Sequence, residues 1–439
     1  MKTLTFKKGL HPHDHKAETQ NSPIKEMEAS KIMVYPVVQH IGAPCSPIVN
    51  VGDRVLVCQK IADSDAFVSA PVHSSVSGTV VAIEPRLHPN GKSIISIVIE
   101  NDFLYECSPE VYERNDTESL TKDEMLSIIR EAGLVGLGGA AFPTHIKLNP
   151  PEDKKIDLLI INGAECEPYL TSDYRVMMES SSLVFDGIEI IKKILGVAKC
   201  VIGIENNKPE AIKVMTDMAK GYNGTEVAVL KTKYPQGSEK HLIKAITGKE
   251  VPSGRLPADV GVVVNNIDSC TAVYNAIKYR KSVITRVVTV SGSGVKNPCN
   301  LRVRTGTSFK DILTYADCDF ENTKKVIMGG PMMGISQYSV DVPTVKATSA
   351  ILAFTEEETA LKDTVNCVKC GDCVNKCPMN LVPALLNTYA KAKDTEMLNN
   401  LNIMDCIECG ICTYTCQCRN TITQNIKMAK ALIREQKSR

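Results

Sequence analysis

The chain has 439 residues, 43% of them apolar and 23% charged, with a formal net charge of +1. That length predicts two to four domains, and the composition excludes wholesale disorder. A near-neutral charge gives no ground for a nucleic-acid partner. No apolar run approaches the about 18 residues of a bilayer span, and Met1-Lys2-Thr3 does not open a signal peptide, so a soluble or peripheral protein is expected.

Residues 1–30 read as a polar surface arm. His11, His13 and His15 stand on alternate positions; on a strand they would share a face and could bind a metal, but Pro12 and the loop-like composition favour the arm. Residues 31–105 are predicted as short strands rich in Val and Ile (Ile32–Val38, Ile48–Val57, Ser77–Ile83, Ser93–Ile99), with Gly52, Gly78 and Gly91 at turns. The stretch from Ala70 to Val81 is similar to the barrel-sandwich of biotinyl and lipoyl carrier domains. Ser74 and Ser75 stand near the place of the modifiable lysine, so the module reads as structural.

Over residues 115–275 the period changes. Helix Lys122–Ala132, strand Ile156–Asn162, helix Ser182–Leu195, strand Cys200–Glu205, helix Pro209–Lys220, strand Glu226–Lys231, helix Ser238–Thr247 and strand Val260–Val264 predict a parallel sheet covered by helices. Residues 283–345 return to short strands (Arg286–Ser291, Asn300–Val303, Val326–Met328) and a tight loop, Gly329-Gly-Pro-Met-Met-Gly334.

Two segments of the central region carry candidate chemistry. Gly133, Gly136, Gly138 and Gly139 fall within seven residues. Such a loop lets backbone N–H groups approach an anion, with Lys147 placed to add a charge; a plain turn is the alternative, and the loop does not follow a strand as a dinucleotide fingerprint should. Next, Asn162-Gly163-Ala-Glu165-Cys-Glu167-Pro168 sits at the carboxyl end of a predicted parallel strand, where open α/β sheets bind ligands. Its two carboxylates suit ribose hydroxyls or amides, or simply a solvated acidic loop. Glu239, Asn265 and Asn266 add polar groups near later strand ends.

Nine of the 17 cysteines lie in the last 73 residues. The other eight are scattered, which argues against a secreted disulfide framework and for a reducing cytosol; most read as small buried hydrophobes. Cys367, Cys370, Cys373 and Cys377 form one C-x2-C-x2-C-x3-C run, and Cys406, Cys409, Cys412 and Cys416 a second. In two-cluster ferredoxins the fourth cysteine of each run crosses to the other cluster. Cys367, Cys370, Cys373 and Cys416 are therefore assigned to one [4Fe-4S] cluster, and Cys406, Cys409, Cys412 and Cys377 to the other. Zinc ribbons use paired C-x2-C and do not need the further thiols. Pro378 follows the first run, whereas Gln417 and Cys418 follow the second, so Cys418 is an alternative to Cys416. Predicted helices Val382–Ala392 and Glu396–Leu401 make 360–439 a mostly helical cluster domain. Ile422, Ile426, Ala429 and Ile433 share a helical face that packs on this domain or, alternatively, rests on an anionic membrane.

Taken together, these motifs resemble the flavin- and NADH-binding subunit of respiratory complex I. Over nearly all 439 residues the chain more closely resembles the RnfC family, the C subunits of the Rnf complex, which is an ion-pumping ferredoxin:NAD⁺ oxidoreductase. Phe6-Lys-Lys-Gly9-Leu-His11-Pro12, the barrel-sandwich, the glycine loop, the Asn-Gly-Ala-Glu-Cys-Glu-Pro box, a small β-grasp-like, ligand-binding-type domain at 283–345 and the cysteine runs come in that family's order. The resemblance implies a multidomain α/β protein with an N-terminal barrel-sandwich, a central parallel flavin and nucleotide domain, the β-grasp-like domain and a helical two-cluster ferredoxin domain. It implies that Gly136, Gly138 and Gly139 cradle the phosphate of non-covalent FMN beside Lys147. Asn162 and Glu165 would line the flavin, Glu167 and Glu239 would face NAD(H), Asn265 and Asn266 would contact the flavin from the far strand, and Phe142 would stack near the nucleotide. Leu137 stands where the complex I pattern has arginine, and Ala164 where it has an acid, so flavin contacts are expected to be fewer.

The function so implied is hydride exchange between NAD(H) and FMN, and single-electron transfer between FMN and the two clusters. It comes with an iron–sulfur ferredoxin-like partner and integral membrane partners that move the ion, at the cytoplasmic face of the cell membrane. A soluble cobalamin reductase or diaphorase-type protein, and an iron–sulfur adaptor without a nucleotide site, are the rival readings.

Overall fold

The computed structural model describes residues 3–359 and 363–438; residues 1–2 of the expected arm, and 360–362 and 439 of the expected cluster domain, lie outside them. In the centre, the strands Leu158–Gly163, Cys200–Glu205, Thr225–Leu230 and Val262–Asn266 form a parallel sheet. Cys200–Glu205 is buried at every position, as expected of a parallel strand covered on both faces. The spatial order starts from Thr225–Leu230 and runs through Cys200–Glu205 and Leu158–Gly163 to Val262–Asn266. The chain therefore leaves the first strand on one side and returns on the other, and the crevice between the carboxyl ends of Leu158–Gly163 and Val262–Asn266 is a topological switch point.

Helices Ser181–Leu195 and Ile267–Tyr279 pack closely against the sheet and each other. Their approach requires Gly187, where a Cβ would stand 2.0 Å from the Cys270 carbonyl oxygen. Helix Lys122–Glu131 starts on a capping box between Thr121 and Glu124. The sequence reading did not foresee Ile267–Tyr279 or the helix Ser172–Glu179.

The N-terminal strands form two small antiparallel sheets. The long hairpin Gly78–Leu87 with Ser93–Asn101 dominates one, while the expected strand Ile48–Val57 is reduced to Arg54–Val55. Beyond the central domain, a six-stranded sheet contains Thr285–Ser291, Cys299–Arg304, Thr323–Met328 and Ile335–Gln337. It also contains Ala350–Thr355, which lies past residue 345.

Residues 3–30 are not a surface arm. Leu4 pairs beside Leu230 at the edge of the central sheet, and Leu10 pairs with Tyr234. Lys16 and Thr19 are buried, and Ile24–Glu26 adds a parallel strand to Cys299–Arg304. His15 lies flat on Tyr169, with ring centroids 4.5 Å apart. Hydrogen bonds to distant partners, which leave no local pattern, hold the segment down.

In the C-terminal part, Pro383–Ala392 and Thr395–Asn400 connect the cysteine runs. Helix Ile422–Ser438 buries Ile422, Ile426, Ala429 and Ile433 against Leu386, Leu398 and Ile403, so its apolar face is spent on the cluster domain. Among the described residues no helix is long and apolar enough to cross a membrane.

Candidate flavin, nucleotide and cluster sites

At the switch point lies a cavity of about 310 Å³, within the range of small-molecule sites. Of the residues expected there, Gly138, Asn162, Glu165, Glu167, Glu239 and Asn266 line it. The others stand further back. The N–H of Gly136 closes the glycine loop on the Phe142 carbonyl at 2.9 Å. Lys147 donates to Glu239 at 2.7 Å, placing a cation at the rim. Gly139 is exposed, and neither it nor Phe142 reaches the wall. Asn265 is buried with its Nδ2 unpartnered. Gly138 has a steric reason: a Cβ there would come 2.7 Å from Asn266 Nδ2.

The wall also contains Asp173, Tyr234, Met333 and Ile407. Asp173 accepts from Asn266 Nδ2 at 2.7 Å. Burial pushes its carboxyl up to about 7, and the neighbouring charges of Glu165 and Asp268 act the same way. Burial likewise raises Glu167 to about 7, against the pull of hydrogen bonds from the N–H groups of Met332 (3.0 Å) and Met333 (2.9 Å). Glu167 thus joins the cavity to the Gly329–Gly334 loop of the following domain. Gly330 makes room for it, since a Cβ would lie 2.1 Å from the carboxylate.

The glycine loop is held from behind. Leu137 donates its N–H to Ser269 Oγ at 3.1 Å, and its carbonyl accepts from Arg286 Nη2 at 2.8 Å. Arg286 is buried and paired with Asp268. Sequence reasoning missed Asp173, Arg286 and Lys16. Only Asp173 carried a local signal, as the acid in the first turn of Ser172–Glu179.

These features fit a flavin mononucleotide. Leu137, Leu170 and Ile407 offer apolar wall, and carboxylates and Asn162 offer partners for hydroxyls and ring amides. On the wall, Glu165 Oε2 is buried without a hydrogen-bond partner, and so, next to wall residues in the chain, are Asn265 Nδ2 and both amide atoms of Gln236. Such groups are costly unless a ligand or water satisfies them.

The two cysteine runs repeat one geometry. Lys369 (φ 54°) and Glu408 (φ 57°) take the left-handed conformation at matching positions, and their N–H groups point to Cys367 Sγ and Cys406 Sγ, both at 3.4 Å. Gly371 and Gly410 then start the short helices Asp372–Lys376 and Ile411–Tyr414. The thiols group across the runs. Cys373 feels Cys367, Cys370 and Cys416, while Cys409 feels Cys406, Cys412 and Cys377. A cavity is lined by Cys377, Cys406, Cys409 and Cys412. Among the described residues no three His, Cys, Asp or Glu side chains are spaced to grip a single ion; thiolates around a cube-shaped cluster stand wider apart. Cys418 is buried, with its carbonyl accepting from Val365 N at 3.2 Å.

Residues 4–104 match the RnfC barrel sandwich hybrid domain, 129–275 the Nuo51 FMN-binding domain, 287–336 the SLBB domain and 359–417 the 4Fe-4S dicluster domain. The chain is 47% identical to the C subunit of the proton-translocating ferredoxin:NAD(+) oxidoreductase complex of Clostridium ljungdahlii, covering 97% of this chain and 93% of that protein. It belongs to the RnfC family, the C subunits of these complexes. Within that family it is also 41% identical to the Na(+)-translocating counterpart of Acetobacterium woodii, over 97% and 96% of the two chains. It is 40% identical to the C subunit of the ion-translocating oxidoreductase complex of Rhodobacter capsulatus, over 100% and 85%. The fold is also similar to an NAD+-reducing [NiFe]-hydrogenase (H2-reduced crystal structure; TM-score 0.50, 18% identity), covering 74% of this chain and 64% of that one. As a member of the RnfC family, the chain is part of an oxidoreductase and combines FMN and iron–sulfur domains.

Proposed function

We propose that NAD(H) and FMN meet in the cavity at the switch point, and that electrons pass one at a time between FMN and an iron–sulfur partner in the complex through two [4Fe-4S] clusters. Bound FMN supplies the exchange between a hydride couple and one-electron carriers. Gly138 and the adjoining loop would hold its phosphate, with Lys147 at the rim. Asn162, Glu165 and Asn266 would face its ring and ribityl chain, and Glu167 and Glu239 the nicotinamide nucleotide. Hydride transfer requires position more than acid–base help, and the loops that fix these side chains serve that end. Cys406, Cys409, Cys412 and Cys377 would ligate the cluster next to the cavity, and Cys367, Cys370, Cys373 and Cys416 the outer one. Reduced ferredoxin at about −400 mV makes NAD⁺ reduction downhill, and integral membrane partners would use that drop to move the ion. The chain itself would sit peripherally at the cytoplasmic face, with the six-stranded sheet acting as a β-grasp-like module.

The observation that carries this reading is contact between the two sites. Ile407, from the second cysteine run, forms part of the cavity wall, and the carbonyl of Cys409 accepts from the cavity residue Tyr234. In the outer group, by contrast, Cys367 and Cys370 are exposed, which suits exchange with a partner. The test is anaerobic purification of the full chain, with iron and flavin counted per chain and NADH-driven reduction of an artificial acceptor followed with and without added FMN. FMN-dependent activity and two clusters per chain are expected; zinc in place of iron, or no flavin uptake, would sink the reading.

A further inference from the structure

The loop 164–170 delivers Glu165, Cys166 and Glu167 to the cavity wall, and its conformation is unusual. Glu165 (φ 48°) and Tyr169 (φ 68°) both lie in the left-handed region, which non-glycine residues seldom adopt. Two buried lysines collect the carbonyls that these turns project. Lys208, in the same domain, donates to Ala164 O at 2.8 Å and pairs with Glu205 at 3.5 Å. Lys16 comes from the N-terminal segment. Its Nζ donates to Glu165 O at 3.0 Å, to Glu167 O at 2.9 Å and to Leu170 O, and stands 3.9 Å from the Glu165 carboxylate.

An ammonium has three protons and no lone pair, so three carbonyls match it. A neutral amine would turn a lone pair on one of them; the lysine is therefore charged here, although burial pushes its pKa down. The two residues before it secure its approach: the Asp14 carbonyl accepts from Tyr169 N at 2.8 Å, and His15 stacks on the Tyr169 ring.

We propose that Lys16 is a positioning residue of the nucleotide cavity. By drawing three carbonyls of the loop to one point it fixes how Glu165 and Glu167 face a bound nucleotide, and the cavity is complete only with the N-terminal segment seated. The inference rests on the reading of this cavity as the FMN and NAD(H) site.

The test uses the full chain, depleted of flavin and titrated with FMN while flavin fluorescence is followed, together with NADH kinetics at saturating FMN. Lys16→Met is expected to weaken FMN binding tenfold or more and to raise the KM for NADH, with kcat within twofold and iron content and cluster absorbance unchanged. Lys16→Gln, which keeps N–H donors without the charge, should fall between Lys16→Met and the unaltered chain. Equal FMN affinity and equal KM in Lys16→Met overturn the proposal. So does loss of the fold in both variants, which would make Lys16 a folding element only. An unaltered chain that takes up no FMN would instead sink the reading of the cavity, and this inference with it.

Discussion

The phenol of Tyr234 donates to the backbone carbonyl of Cys409 at 2.8 Å. Tyr234 is buried and lines the switch-point cavity, whereas Cys409 stands in the middle of the second cysteine run. This hydrogen bond therefore ties the cavity to the second cysteine run. Tyr234→Phe keeps the ring and leaves a buried carbonyl unpaired, a cost of about 1–3 kcal/mol. The expected result is normal FMN binding and normal NADH-driven reduction of an acceptor that draws on the flavin, with several-fold slower reduction of the clusters by NADH. Rapid-mixing absorbance in the iron–sulfur region reads this directly. An unchanged cluster rate would mean that the bond has no part in holding the two sites.

Asp173 gives a pH dependence with a definite sign. Its folded pKa of about 7 lies above the ordinary 3.8, chiefly through burial, so the folded state binds the proton more tightly. Its contribution favours the fold at low pH and is lost as pH rises from about 4 through 7. Asp173→Asn should therefore raise the stability of the flavin-free chain by on the order of 2–4 kcal/mol at pH 8, with little change near pH 4. Glu167, also raised to about 7, keeps a residual slope in the variant. Thermal midpoints across this range decide the matter; a gain that is flat with pH would assign the effect to packing.

What could be read from the sequence was what repeats locally. The cysteine spacing is set by a tight turn around a cluster and survives unaided, as does the alternation that marks the strands from Leu158 to Asn266. Helix Ile267–Tyr279 also left a signal that went unused: Asn266 caps it by accepting from Asp268 N, and Ile267, Cys270, Val273 and Ile277 follow at helical spacing. Lys16 and Arg286 left none. Each is a cation whose carbonyl partners lie far off in the chain, 149 residues for Lys16 with Glu165 and 149 and 62 for Arg286 with Leu137 and Thr348, and no local period encodes such a pairing. Ile24–Glu26 is likewise a strand only because Cys299–Arg304 accepts it.

Arg286 and Asp268 form a buried pair across two domains, and Arg286 also holds the Leu137 carbonyl. An arginine thus supports the glycine loop from another domain, at the point where the complex I pattern would carry arginine within the loop. Arg286→Met strands the Asp268 charge and should cost roughly 3–5 kcal/mol. Adding Asp268→Asn should recover part of that loss, because the uncompensated charge goes too. FMN affinity should stay low in both variants, since neither restores the donor to Leu137. Denaturant unfolding of the two single variants and the double gives the coupling. Full recovery of flavin binding in the double variant would remove Arg286 from the support of the loop.

The last ligand of the outer cluster can be decided by iron counting. Cys377 and Cys416 each stand four residues after the third cysteine of their run, and each falls among the thiols of the opposite run. Cys418 instead sits beside Val365, where its carbonyl and the Asn420 amide close the entry to the first run. Its burial is that of a small apolar side chain, which serine would imitate at modest cost. Cys418→Ser should therefore keep about eight irons per chain and an unchanged cluster signal. Cys416→Ser should lower the count toward about four, or leave a cluster with a weaker oxygen ligand and a shifted potential. On the proposed assignment the inner group is complete without Cys416, so NADH should still reduce one cluster in that variant, while transfer between that cluster and a partner fails. The opposite pattern, with iron lost only on replacing Cys418, would exchange the two cysteines and place the outer cluster nearer Val365.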